Sequence, residues 1–474
     1  MASTIPALNN QQITIKITQL FTSKRPPNSM TSNTPFKPEL LAPAGTLKNM
    51  KYALAYGADA VYAGQPRYSL RVRNNEFGGD ALHEGIQFTQ QQGKKFYLAC
   101  NLSPHNTKVK TFMKDIEPII EMKPDALIMS DPGLIMMVRE KWPEMPIHLS
   151  VQANVVNYAS ATFWHRMGVE RIILSRELSL NEIEEIHDQC PELELEVFVH
   201  GALCIAYSGR CLLSGYINRR DANQGSCTNA CRWQYKAHPA EQNCTGDTVL
   251  STPIAQPEPT LGDGPTTEQM LLLEEPGRPG QLMPAFEDEH GTYIMNSKDL
   301  RAVQHVDRLV AMGIHSLKIE GRTKSHFYVA RTTQTYRQAI DNAAQGKPFD
   351  PELMVALDSL ANRGYTDGFY QRHAHKESQN YHTGNSLREK QEFVGEVIDH
   401  DKAAGMMTVE VKNHFALGDE IELMSPSGNQ LFTLKYMESD KGVSADVMPG
   451  SGYIAKIPIE CDHSLKLGLM LKTL

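Results

Sequence analysis

The chain has 474 residues, a net charge of −8 and 41% hydrophobic residues, enough for a sizeable core and for two or three folded units. No run of eighteen apolar residues occurs, which excludes a transmembrane helix. With an acidic balance, a nucleic-acid partner has to be met by a local basic patch, because the field of the whole molecule opposes it.

Residues 1–38 hold no Asp or Glu, and Lys16, Lys24, Arg25 and Lys37 are their charges. The basic-then-apolar pattern of a secretion signal is missing, so a cytoplasmic protein with a disordered extension at 1–36 is expected; an organellar transit segment or a start at Met30 are the alternatives.

From residue 39, short apolar runs alternate with amphipathic stretches. The runs are "ELLAPAG" (39–45), "AVYAG" (60–64), "FYLACN" (96–101), "ALIMSD" (126–131), "IHLSVQAN" (147–154), "RIILSREL" (171–178), "EVFVHG" (196–201), "YIMNS" (293–297) and "SLKIEG" (316–321). Helical patterns fill 46–56, 111–122 and 179–189 among others. This alternation predicts a parallel sheet, and its length predicts a (β/α)8 TIM-barrel-like α/β domain over 37–347. A doubly wound open sheet is the alternative, but neither GxGxxG nor GxxxxGK[ST] is present. Residues 235–291, with eight prolines and the acidic "FEDEH", read as a solvated arm inserted between two barrel strands. A basic helical pattern follows at 321–340, with Arg322, Lys324, Arg331 and Arg337. Residues 348–391 are expected to link to a second domain. Over 392–474 the period changes to two, in "EFVGEVID", "GMMTVEVK" and "GDEIELMS", with "SPSGN" as a turn. A small antiparallel β-barrel is predicted there.

Four of the eight cysteines, Cys204, Cys211, Cys227 and Cys231, crowd into residues 200–233, while Cys100, Cys190, Cys244 and Cys461 are scattered. That distribution reads as a metal site in a reducing compartment, not a disulfide framework. On a helix Cys227 and Cys231 share one face, but Cys204 and Cys211 stand too far apart for one centre. Gly209 allows the segment between them to fold back. The spacing Cys-x6-Cys-x15-Cys-x3-Cys matches neither the ferredoxin run nor the zinc knuckle, and by itself leaves an iron–sulfur cluster and structural zinc nearly level.

The stretch "EVFVHGALCIAYSGRCLLS" (196–214) resembles the diagnostic pattern of the collagenase-like peptidase family of unknown catalytic type. It fits at Glu196, Phe198, Gly201, Ala202, Leu203, Cys204, Gly209, Cys211, Leu213 and Ser214. Similarity extends from 38–77 through 295–331 to the β-rich tail. The resemblance implies a [4Fe–4S] cluster on Cys204, Cys211, Cys227 and Cys231, supplied by the iron–sulfur assembly machinery. It also implies hydroxylation of the wobble uridine of tRNA at carbon 5, with prephenate as co-substrate. Hydroxylation of ribosomal RNA or of a ubiquinone precursor, and peptidase activity, are the alternatives. Where some relatives place a cysteine after "SKDL", this chain has Arg301, so Cys231 is the expected fourth ligand.

Peptidase machinery is hard to find in the residues themselves. "HEGIQ" (83–87) lacks the second His of HExxH, and GxSxG is absent. Cys204 with His200 would make a thiol and base, and His373, His375 and His382 are a further candidate metal set. The predicted strand ends carry Asn101, Gln152, Asn154, Arg176, Glu177, His200, Glu320 and Arg322, which together predict a polar pocket. Among these His200, Glu320 and Arg322 are the expected catalytic groups, and Gln152 and Asn154 the expected substrate contacts. Arg67, Arg71 and Arg73 follow the second predicted strand. A dicarboxylate favours forked cations, so Arg67, Arg71, Arg176 and Arg322 are its expected partners. The basic helix and the C-terminal β-barrel are expected to meet RNA phosphates.

Overall fold

The computed structural model describes residues 36–69, 76–102, 104–203, 299–360, 364–371 and 391–474, and between 203 and 299 the strands named below. The expected N-terminal extension, Phe36 apart, lies outside the described residues.

Eight parallel strands form a ring: β1 (Glu39–Pro43), β2 (Ala60–Gly64), β3 (Lys95–Cys100), β4 (Ala126–Met129), β5 (Ile147–Leu149), β6 (Arg171–Ile173), β7 (Glu194–Ala202) and β8 (Ser316–Ile319). Each pairs with the next, and β8 closes the barrel, with Leu317 opposite both Val197 of β7 and Leu40 of β1. Around it run α1 (Leu47–Ala55), α2 (Gly79–Gln91), α3 (Asn106–Glu121), α4 (Pro132–Lys141), α5 (Tyr158–Arg166), α6 (Leu180–Gln189), α7 (Val306–Ala311) and α8 (His326–Ala344). The predicted (β/α)8 barrel is the observed fold. Its strands read as mostly apolar runs because helices cover one face and the barrel interior the other; Leu40, Leu41, Ala42, Leu127 and Met129 are all fully buried. Helix starts follow capping chemistry. Thr46, Asp131, Asn157 and Ser325 accept from backbone N–H groups of the first turns of α1, α4, α5 and α8. Ser179 and Glu182 make a full capping box on α6.

Between β7 and β8 the expected solvated arm is in part a sheet, which corrects the sequence reading. Strands Thr248–Leu250, Lys236–Gln242, Met270–Glu274, Leu282–Asp288 and Gly291–Ile294 pair antiparallel in that order. Pro239 and Pro284 lie within these strands, opposite Leu271 and Leu272, so proline count was a poor guide to loop here. The run at 293–297 likewise belongs to this sheet at its start, Tyr293 opposite Phe286, and not to the barrel. A short strand, Asp299–Arg301, then pairs antiparallel with the end of β7 and parallel with Tyr365–Thr366. Within 348–391 also lies α9 (Glu352–Asp358), with Leu353 and Leu357 buried.

The C-terminal residues form an antiparallel half-barrel. Seven strands run in the order Gln430–Thr433, Glu420–Met424, Leu469–Thr473, Gln391–Asp401, Met406–Val411, Ile454–Pro458 and Glu438–Ser439. They enclose a separate core that includes Val394, Val409, Phe415, Ile421 and Met470. This domain rests on α1 and α8. Phe327 stacks on Phe393 with centroids 5.2 Å apart, and Tyr52 donates to Glu396 at 2.8 Å. Arg331, 3% exposed, binds Glu422 through both of its terminal nitrogens. Arg337 pairs with Asp59 and Asp341. The expectation that this helix offers Arg331 to RNA phosphates is therefore corrected, because the side chain is consumed inside the protein.

Candidate active site

The site is built on an ionic layer inside the barrel. Glu39, Arg171, Glu194 and Ser316 each open a strand, so their side chains collect at one end of the lumen. Arg171 donates to Glu39 at 2.6 Å, to Glu194 at 2.7 Å and to Glu196 at 3.3 Å. Tyr97 donates to Glu39 at 2.7 Å. Above them Lys318, 3% exposed, donates to Glu196, 0% exposed, at 2.7 Å. Burial pushes the Lys318 ammonium below its usual value, while Glu196 acts to keep it charged. His148 is held neutral, well below its usual value, by burial and by Arg171 and Lys318.

One layer further, towards the strand C-termini, lie Tyr62 and Phe198. The Arg176 guanidinium stands 3.8 Å over the Phe198 ring, and Arg322 stands 5.9 Å from the centroid of Tyr62. Arg322, buried to 9% exposure, donates to Ser69 at 3.3 Å. Burial raises the Tyr62 phenol, Glu320 adds to that rise, and Arg322 and Arg176 oppose it; all four groups share one neighbourhood. Arg176 and Arg322 thus stand by two rings near the strand C-termini, and Glu320 follows β8 two residues before Arg322. Glycine fixes Glu320 there. Gly201 has φ +106, and a Cβ on it would fall 2.6 Å from the Glu320 carbonyl oxygen; Gly321 has φ +149 against the Tyr328 ring. On the ends of β3 to β5, Asn101 donates to Ser150 at 3.2 Å, Ser130 to Asn101 at 3.0 Å, and Asn154 to the Gln152 carbonyl at 3.3 Å. Gln152 and Asn154 are partly exposed there, while Glu177 accepts from Ser175.

Two expected residues are placed elsewhere. His200 packs between the rings of Tyr328, Tyr336 and Tyr365, at 5.7, 5.6 and 5.4 Å. A register shift where β7 meets β8 accompanies this placement against α8. Burial pushes its imidazole down to about 3, with Arg301 and Lys324 acting in the same direction. The His200 Nδ1 lies 3.4 Å from the Tyr336 hydroxyl, so the ring is seated against α8. Arg67 turns to α3 instead, donating to Asp115 at 2.7 Å beside Tyr68. Arg71, Arg73, Cys204, Cys227, Cys231, His373, His375 and His382 lie outside the described residues, and of Cys211 the strand backbone alone is described. That backbone forms a hairpin, Ala206 opposite Cys211 and Tyr207 opposite Arg210, so the chain does fold back between the first two cysteines of the set.

Sequence reasoning passed over Lys318, Arg171 and Tyr62 as site components. A signal existed: Lys318 interrupts "SLKIEG" and Arg171 opens "RIIL", and a charge inside a buried strand needs a partner in the lumen.

Residues 45–380 match the sequence profile of Peptidase family U32, and residues 389–472 that of the Peptidase family U32 C-terminal domain. The chain belongs to peptidase family U32. Within the family it is 60% identical over 440 residues to tRNA hydroxylation protein P of Escherichia coli K12, covering 92% of this chain and 97% of that protein. The Haemophilus influenzae protein of the same name is 58% identical over 93% of this chain and 97% of its own length. The Collagenase of Porphyromonas gingivalis is 26% identical over 82% of this chain and 87% of that protein. Among the described residues of this U32 member no helix is long and apolar enough to cross a membrane.

Proposed function

We propose that this chain hydroxylates the wobble uridine of tRNA at carbon 5, with prephenate as co-substrate and a [4Fe–4S] cluster on Cys204, Cys211, Cys227 and Cys231. The observation that carries the reading is 60% identity over 92% of the chain to a tRNA hydroxylation protein. The resemblance in the cysteine segment supports the cluster, and so does the hairpin that pairs Cys211 with Ala206, two residues from Cys204. A bound cluster would supply the electron chemistry that side chains lack. Arg176 and Arg322 are assigned to the two carboxylates, since forked guanidinium groups suit them. Glu320, held between Gly201 and Gly321, is assigned to accept from a hydroxyl. Gln152 and Asn154 offer amides of the kind that read the edge of a base.

Contact with tRNA is assigned to the barrel around its mouth. The half-barrel at 391–474 has thirteen Asp and Glu against seven Lys and no Arg, a balance that opposes a polyanion. The reading places the enzyme in the cytoplasm, dependent on the iron–sulfur assembly machinery. Mass spectrometry of tRNA nucleosides from a deletion strain, with and without the restored gene, tests it. 5-Hydroxyuridine should vanish and return; its persistence in the deletion strain excludes the function.

One observation favours a peptidase as the second reading. Cys461 Sγ lies 3.3 Å from His463 Nδ1, and His463 Nε2 lies 3.2 Å from Ser425 Oγ, a thiol–imidazole–hydroxyl series. Gelatin hydrolysis that disappears in Cys461→Ser would establish it.

A further inference from the structure

The interior of a (β/α)8 barrel is ordinarily filled by branched aliphatic side chains, and replacing a buried ion pair by such groups is often neutral or stabilising. Lys318 and Glu196, 3% and 0% exposed and 2.7 Å apart, depart from that pattern in the middle of the lumen. Stability gives no reason for the pair, but its neighbours do. Lys318 Nζ stands 4.3 Å from the ring centroid of Tyr62 and 5.5 Å from that of Phe198. The same two rings carry Arg322 at 5.9 Å and Arg176 at 3.8 Å. Three cations therefore share two aromatic side chains. Glu196 is shared between Lys318 at 2.7 Å and Arg171 at 3.3 Å.

We propose that Lys318 is a specificity-determining positioning residue of the barrel-mouth site, whose buried ammonium seats the Tyr62 and Phe198 rings beneath the two arginines and makes the pocket prefer a small dicarboxylate dianion to a monoanion. The inference rests on the reading of the mouth as the co-substrate site. Lys318 need not touch the ligand. In a poorly solvated interior a charge acts over several ångströms with little screening, so a second carboxylate gains from it while a neutral ring does not.

The test compares prephenate with phenylpyruvate, which keeps one carboxylate, by calorimetric titration of the full-length, anaerobically purified protein. Lys318→Gln removes the ammonium alone, and its amide can still donate to Glu196 while Arg171 holds the other oxygen. Prephenate should bind about tenfold more weakly, the scale of one charge-assisted interaction, and phenylpyruvate within about twofold of wild type. If Lys318→Gln does not fold, Lys318→Met, which leaves Glu196 paired with Arg171, gives the same comparison. An unchanged dianion-to-monoanion ratio in a folded variant, or an equal loss for both ligands, overturns the role of Lys318. Wild-type protein that shows no saturable prephenate binding overturns the co-substrate reading and this inference with it.

Discussion

Arg331 and Glu422 join the barrel to the C-terminal half-barrel through two hydrogen bonds, at 2.9 and 2.6 Å, with side chains 4% and 11% exposed. Removing one partner of such a pair leaves a buried charge uncompensated, which typically destabilises by roughly 3–5 kcal/mol. Arg331→Ala should lower stability towards that range, whereas Arg331→Met/Glu422→Leu should lose far less. Urea unfolding followed in both variants checks this, and equal losses would show that packing, not charge, sets the cost.

A second contact across the same boundary makes stability depend on pH. Burial alone would raise the Glu396 carboxyl, but His326, Lys48 and Tyr52 outweigh it and hold the group down at about 2. A depressed carboxylate contributes stability that is present above its unfolded value, about 4.3, and lost as pH falls towards the folded one. The thermal midpoint should therefore fall more steeply between about pH 4.5 and 2 in wild type than in Glu396→Gln. Parallel curves for the two proteins would remove Glu396 from the account.

His200 offers a clean separation of packing from chemistry. Its imidazole sits among three tyrosine rings and is held neutral down to about 3. His200→Phe should keep the aromatic box and retain tRNA hydroxylation within about threefold, because volume-conserving core swaps are tolerated best. A folded variant with activity lost by about a hundredfold or more would assign the residue a chemical role, since general acid–base groups contribute on that scale.

Much of this was legible in the sequence, for reasons that particular residues make plain. Alternating strand and helix patterns located all eight barrel strands, because parallel strands buried on both faces are mostly apolar, as Leu40 to Ala42 are. The sheet between 236 and 294 was not legible, because Pro239 and Pro284 look like loop punctuation until their partners, 32 and 12 residues away, are known. Side-chain direction was the other blind spot. Arg67, Arg176, Arg322 and Arg331 look alike along the chain, but Asp115 takes the first and Glu422 the last, while Arg176 sits on Phe198 and Arg322 beside Tyr62.

Cys100 is buried, and burial pushes its thiol up to about 12, so it is a poor thiolate and a poor ligand. Ser replacements at Cys204, Cys211, Cys227 and Cys231 should each abolish iron binding, while Cys100→Ser, Cys190→Ser, Cys244→Ser and Cys461→Ser should retain it. Iron content of anaerobically purified protein decides the matter, and full iron in Cys231→Ser would require a different fourth ligand.

The arginines supply the sharpest test of the proposed co-substrate, because the geometry now separates them. Replacement by Lys preserves charge but loses the planar fork that grips a carboxylate at two points. At Arg67, where the guanidinium already binds Asp115 at 2.7 Å on an exposed flank, that change should leave the prephenate requirement untouched. At Arg176 and Arg322, seated on Phe198 and beside Tyr62, each lost charge-assisted contact should raise the apparent KM for prephenate about tenfold. Hydroxylation by the purified variants, measured against prephenate concentration at saturating tRNA, gives the comparison. If Arg67→Lys raises the requirement and Arg176→Lys and Arg322→Lys do not, prephenate binds on the α3 flank and the barrel mouth is not its site.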